Sequence, residues 1–208
     1  MVRSSYIQND IGGLIEEYVL AWQPSNFVEL GVLDGYSTLH IAKGMKRVER
    51  LRKWTPPKLD AYDLFEDYEF KHGKKEEVEK MLEENGVAQY VNVIKGNAYE
   101  VHKNYPDFHE GTDGVRGIEF LHVDISNTGK VVRDIIDLWH PKIGHRGLVL
   151  IEGGSIERDN IEWMKKYNCP PIREEIDTNP IISKYYIYGT YFEFPSITVM
   201  LRKWWNVI

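Results

Sequence analysis

Five polar side chains stand at or just past the ends of short, largely apolar runs in this 208-residue chain: Glu29 in Phe27-Val28-Glu29-Leu30, Asp63 in Asp60-Ala61-Tyr62-Asp63, Asn97 after Lys95-Gly96, Asp124 after Leu121-His122-Val123, and Glu152 after Val149-Leu150-Ile151. If each run is a strand of one open parallel sheet, these groups gather at its carboxyl edge, where such sheets bind ligands. A carboxylate placed there can accept from two neighbouring hydroxyls, take a proton, or lend an oxygen to a hard cation. An amide offers a donor and an acceptor together. Any single one also reads as a turn former or cap; five at five strand ends point to a site.

The turn after Glu29 carries the second signal. Gly31 and Gly35 stand four positions apart, ahead of Ser37 and Thr38. Glycines there let the backbone bend sharply and come close to a ligand, and the N–H groups opening the next helix stay unpaired within it. The spacing Gly-x-x-x-Gly departs from the Gly-x-Gly-x-x-Gly of dinucleotide pyrophosphate turns, and no Gly-Lys-Ser/Thr follows as in a triphosphate loop. An oxidoreductase of the NAD type, which also places an acid after the second strand, is disfavoured by that spacing.

The elements that must position these groups alternate along the chain. Asp10 caps a first helix over 10–22, with Ile11, Leu14, Ile15, Tyr18, Val19 and Trp22 on one face. Strands are expected at 27–30, 59–65, 90–94, 118–123 and 147–151, with helices at 36–45, 74–84, 131–139 and 159–167. Nearly continuous apolar strands between helices indicate a parallel sheet covered on both faces. The stretches 184–194 and 196–204 are joined by little more than Pro195, too short for a crossover, so they pair antiparallel. The expected fold class is α/β: a Rossmann-like doubly wound sheet of five parallel strands plus a C-terminal antiparallel hairpin, seven strands in all, in a single domain over 1–208.

Composition sets outer limits. Apolar residues make up 42% and charged residues 28%, as in globular proteins and unlike disordered tails. The net charge of −6 argues against a whole-surface grip on nucleic acid, which is not an expected partner. Cys169 is the single cysteine, no apolar run reaches membrane-spanning length, and Met1-Val2-Arg3-Ser4-Ser5-Tyr6 lacks a secretory apolar region. A cytoplasmic location away from membranes is the expectation. A basic run, Lys43, Lys46, Arg47, Arg50, Arg52 and Lys53, reads as a solvated helix extension or as a patch for an anionic acceptor. The aromatic stripe from Tyr185 to Phe194 reads as core and dimer surface, with Trp204 and Trp205 also candidates for burial between the protomers of a homodimer.

The segment Glu29-x-Gly31-x-x-x-Gly35 resembles motif I of class I S-adenosylmethionine-dependent methyltransferases. Leu121-His122-Val123-Asp124-Ile125-Ser126, the helix end Trp139-His140-Pro141, and Gly147 to Glu152 look like the macrocin O-methyltransferase-like branch, as does Asp63-Leu64-Phe65. The resemblance spans roughly 25–155. It implies S-adenosylmethionine as cofactor, bound by Glu29 (amino acid end), Gly31, Gly35, Ser37, Thr38, Asp63 (ribose), Asn97 (adenine edge) and Asp124. It implies O-methylation of a small polyhydroxylated or sugar-like acceptor, with Asp124 as base or metal ligand and His122 nearby. His122, as a strand residue, reads as packed and hydrogen-bonded; His140 and His145 read as surface residues. Asp63, at a strand end, is expected to add little to the fold itself.

The branch holds a divalent metal on three acids. Here Asp124 and Glu152 fill two positions, whereas Gly153 stands at the third and Ser126 replaces the second acid of the His-x-Asp-x-Asp segment. The implied Mg2+ site is a weak one completed by water. That erosion keeps open a non-catalytic adenosyl-ligand-binding subunit as the alternative to an enzyme.

Overall fold

In the computed structural model, which describes residues 3–53, 58–108 and 117–203, the chain resolves into two compact units, Met1–Ala98 and Tyr99–Ile208. The first unit holds β1 (Phe27–Leu30), β2 (Leu59–Asp63) and β3 (Val91–Lys95), side by side in the order β3-β2-β1 and all parallel. All four residues of β1 are buried, which is why its sequence lacks polar alternation. The register Leu30↔Tyr62 and Asp63↔Lys95 brings the three carboxyl ends level.

Around these strands lie α1 (Ile11–Trp22), α2 (Tyr36–Arg52) and α3 (Lys75–Glu84). Asp10 caps α1 by accepting from the Gly13 N–H at 3.3 Å. Gly12 costs helix propensity but permits a close crossing: a Cβ there would stand 2.5 Å from the His40 ring, and one on Gly44 would stand 2.7 Å from Val19. Helix α2 runs past the expected end at 45, because Val48 continues the buried stripe while the basic residues take the outer side. Two of those cations are engaged: Arg47 donates to Glu17 at 2.7 Å and Lys46 to the Gly86 carbonyl at 2.9 Å. Trp54 to Pro57, which follow the basic run, lie outside the described residues.

The second unit carries β4 (Ile118–Val123), α4 (Gly129–Trp139), β5 (Ile143–Glu152), the short α5 (Ile156–Asp159), α6 (Glu162–Lys166), α7 (Ile172–Thr178) and α8 (Pro180–Tyr185), then β6 (Tyr186–Tyr191) and β7 (Ile197–Arg202). Its order is β4-β5-β7-β6, with β4 parallel to β5 and both remaining pairings antiparallel. The strands make up the seven-stranded mixed sheet of an α/β, Rossmann-like fold with a C-terminal hairpin; among the described residues β3 is followed by a single 3-10 turn, Val101–Asn104, and not by an α-helix as the other parallel strands are.

Three local expectations are corrected. The helix placed at 159–167 is two short helices broken at Asn160–Ile161. The strand expected from 184 starts at Tyr186, because Asn179 caps α8 by accepting from the Ile181 and Ile182 N–H groups and Pro180 opens its first turn. His140 and His145 are half-buried: His140 packs on Tyr185 and meets the Tyr186 hydroxyl at 3.0 Å, and His145 lies edge-on to Phe108. Within the aromatic stripe Tyr186 is buried, whereas Tyr191, Phe192 and Phe194 are exposed; Trp204 and Trp205 lie outside the described residues. Among the described residues no helix is long and apolar enough to cross a membrane.

Candidate functional site

In the first unit the site is built on the turn between β1 and α2. Gly31 (φ +93°) and Gly35 (φ +81°) both take left-handed backbone, which a side chain disfavours. The Gly31 N–H donates to the Tyr62 carbonyl at 2.8 Å, fixing the turn to β2. At Gly35 there is also a packing reason: a Cβ would stand 2.7 Å from Met81 and 3.0 Å from Val78 of α3. Glu29 is fully buried and accepts from the Thr38 hydroxyl at 2.6 Å, tying β1 to the first turn of α2; Ser37 is buried beside it.

Asp63 does more for the fold than a strand-end acid was expected to. One carboxylate oxygen accepts from the Val32 and Leu33 N–H groups at 2.7 and 2.9 Å, and the other from the Phe65 N–H at 2.7 Å. Leu33 is itself left-handed at φ +50°, so Asp63 pins the least relaxed residue of the turn. Asp60, its neighbour on β2, is instead matched across the sheet by the Asn92 side chain at 2.8 Å. Asn97 is exposed, two residues past β3. On the other flank Arg3 donates to both oxygens of Asp34 at 2.6–2.8 Å and to the His72 carbonyl at 2.9 Å. That guanidinium holds the Asp34 carboxyl below the usual carboxylate range.

In the second unit His122 is fully buried in β4, in register with Leu150, and Asp124 is half-buried just past the strand end. Glu152 closes β5 and is 5% exposed. Its two oxygens are taken by the buried Arg158, Nε donating to Oε1 at 2.5 Å and Nη2 to Oε2 at 2.9 Å. Burial and the charge of Asp124 push the Glu152 carboxyl up to about 7, against the Arg158 bonds that pull it down. Asn127 donates to the Val123 and Glu152 carbonyls at 3.1 and 2.9 Å and so clasps the ends of β4 and β5.

Sequence reasoning missed both Arg158 and Asn127. The available signal for Arg158 was a lone basic residue six positions after a strand-end acid, beyond Gly153-Gly154 and a Ser155 cap. For Asn127 there was none, since its partners are carbonyls of two different strands.

The donor set does not suit a divalent metal. Both Glu152 oxygens face a cation already, and Gly153 supplies no third ligand, its backbone at φ +110° being one that a side chain disfavours. Among the described residues no group of three His, Cys, Asp or Glu could hold a metal ion.

A family profile described as a methyltransferase domain matches residues 28–152, more than half of the chain, from β1 to the last residue of β5. The chain belongs to this methyltransferase-domain family. No curated protein sequence matches it. Solved structures similar to this methyltransferase-family chain include the O-methyltransferase TomG of Streptomyces achromogenes, involved in tomaymycin synthesis and solved with SAM, at 15% identity and TM-score 0.66, covering 97% of this chain and 82% of that one. An O-methyltransferase of Bacillus cereus in complex with SAH matches at 12% identity and TM-score 0.62, covering 97% and 84%. The SAH-bound methyltransferase PaMTH1 of Podospora anserina matches at 14% identity and TM-score 0.64, covering 97% and 80%. At such identities the likeness is one of fold.

Proposed function

We propose that the chain is an S-adenosylmethionine-dependent O-methyltransferase acting on a small polyhydroxylated or sugar-like acceptor. The observation that carries this reading is the family match over residues 28–152, which begins at the Glu29–Gly35 turn and takes in Asp63, Asn97, Asp124 and Glu152. Because that match runs through Ala98 and Tyr99, we read the two units as one methyltransferase domain. The SAM and SAH complexes among structures of the same fold favour this cofactor, and the O-methyltransferases among them favour an oxygen acceptor.

The residues of the first unit suit that cofactor. Asp63 is an acid at the end of β2, the place where a ribose is accepted through its hydroxyls, and Asn97 supplies the donor–acceptor pair that an adenine edge needs. Gly31, Gly35, Ser37 and Thr38 shape the turn, and buried Glu29 braces it from beneath by accepting from the Thr38 hydroxyl. Bound there, S-adenosylmethionine supplies a methyl group already activated on a sulfonium. What remains for the chain is to align an acceptor hydroxyl and remove its proton. Asp124 is the base in this reading, with fully buried His122 two residues before it in β4. Cytoplasmic action and a homodimer complete the reading. A single cysteine suits the former, and the exposed Ile187, Tyr191 and Phe192 on or beside the edge strand suit the latter.

The test is transfer of labelled methyl from S-adenosylmethionine to a panel of sugars and polyphenols, with wild type and Asp124→Asn. Wild type should label at least one acceptor and Asp124→Asn none, while both bind S-adenosylhomocysteine. Binding without transfer to any acceptor would favour the non-catalytic subunit instead.

A further inference from the structure

We infer that the Arg158 guanidinium occupies the place of the divalent cation that the resemblance implies, so that the acidic pair Asp124–Glu152 works with an internal, covalently tethered positive charge and without a metal. The inference goes beyond the proposed methyl transfer and does not depend on it.

Three observations converge. Arg158 meets Glu152 side-on through two nitrogens, at 2.5 and 2.9 Å, so both carboxylate oxygens point at the guanidinium. A planar fork matched to a carboxylate in this way is the strongest form of the pair, and it uses the oxygens a metal would need. Next, Arg158 is held where it is rather than reaching in from solvent. It is 5% exposed; its backbone N–H is capped by Ser155 at 3.1 Å, Nη2 also reaches the Asn127 carbonyl at 3.4 Å, and the guanidinium lies 5.2 Å from the Trp163 ring centre. Last, its remaining nitrogen, Nη1, is buried and has no hydrogen-bond partner. A buried N–H donor calls for an oxygen lone pair, from water or a hydroxyl, and is repelled by a metal ion. The Asn127 Oδ1, likewise buried and unpartnered, is an acceptor in the same cluster. One water or hydroxyl has both a proton for an acceptor of this kind and a lone pair for such a donor.

Geometry also accounts for the missing third ligand. Gly153 has left-handed backbone at φ +110°, which strains any side chain, and an acid there would also have to displace the Ile172 side-chain tip.

Titration of the full chain with Mn2+, followed by electron paramagnetic resonance, reads this without any activity. Wild type should show no Mn2+ site that disappears in Glu152→Gln. Arg158→Met removes the guanidinium while keeping much of the volume, and should gain a site at least about tenfold tighter than any in wild type, lost again when Glu152→Gln is added. A wild-type site of one equivalent abolished by Glu152→Gln would overturn the inference, and so would a folded Arg158→Met chain that gains none. If Arg158→Met fails to fold by circular dichroism, the comparison of wild type with Glu152→Gln decides alone.

Discussion

The first and second units each end a central strand with an acid, and they satisfy it in opposite ways. Asp63 is held by three backbone N–H groups, which stabilise the carboxylate without cancelling its charge. Glu152 is held by a guanidinium, which cancels it. One edge therefore keeps a negative charge braced against the glycine turn, fit to receive hydroxyl donors. The other spends its charge internally. The lesson is that a strand-end acid marks a place where chemistry is concentrated, while its partner decides which chemistry.

Breaking the second arrangement should have the largest effect. Arg158→Met leaves the Glu152 carboxylate buried without its cation and should cost about 3–5 kcal/mol in urea unfolding. The double variant Glu152→Leu with Arg158→Met removes both charges and should recover most of that loss. A double variant as unstable as the single one would mean that packing around Arg158, not charge pairing, sets the cost.

The first arrangement should break more gently. Asp63→Ala strips the acceptor from the Val32, Leu33 and Phe65 N–H groups and should cost about 1–3 kcal/mol while also weakening cofactor binding. Asp63→Asn keeps an oxygen for one side of the turn and should fall between wild type and alanine in the same unfolding series. Gly35→Ala sharpens the point, because it leaves every carboxylate in place. Left-handed backbone at φ +81° and the contact with Met81 should cost about 1–2 kcal/mol.

The smallest effect is a pH dependence confined to the second unit. Burial, followed by the charge of Arg202, lowers the His140 pKa from 6.5 to about 4. The unfolded chain thus takes up a proton near pH 6.5 that the folded chain refuses. His140 should therefore make stability fall as pH drops from about 6.5 towards 4, with no contribution above that window. The gap in urea midpoint between wild type and His140→Gln should be constant above about pH 6.5 and change below it, the variant having the shallower slope. Parallel curves would assign the acid sensitivity to other groups.

Much of the architecture could be read from the chain because the first five strands are short, mostly apolar runs and β1, β2 and β4 are each followed by a helix with its own buried stripe. Boundaries slipped where that contrast fades. Helix α2 continues through basic residues because one further buried position, Val48, is enough to hold it. Helices α7 and α8 are seven and six residues long and start beside prolines, too short for periodicity to reveal. The acids were legible for the same reason as the strands, since a charge ending an apolar run stands out. What those acids touch was not legible. Asp63 reaches backbone in the preceding turn, about thirty residues earlier, and Glu152 meets Arg158 across the left-handed pair Gly153–Gly154 and the start of α5. Both partnerships are set by folding back, which spacing along the sequence does not encode.

The account turns on an adenosyl cofactor held at the braced edge, and calorimetry with S-adenosylhomocysteine and NAD on wild type and Asp63→Ala tests it most directly. It predicts one equivalent of S-adenosylhomocysteine on wild type, weaker binding to the variant and no heat from NAD. Binding of NAD, or of neither compound, by a folded wild-type chain would contradict it.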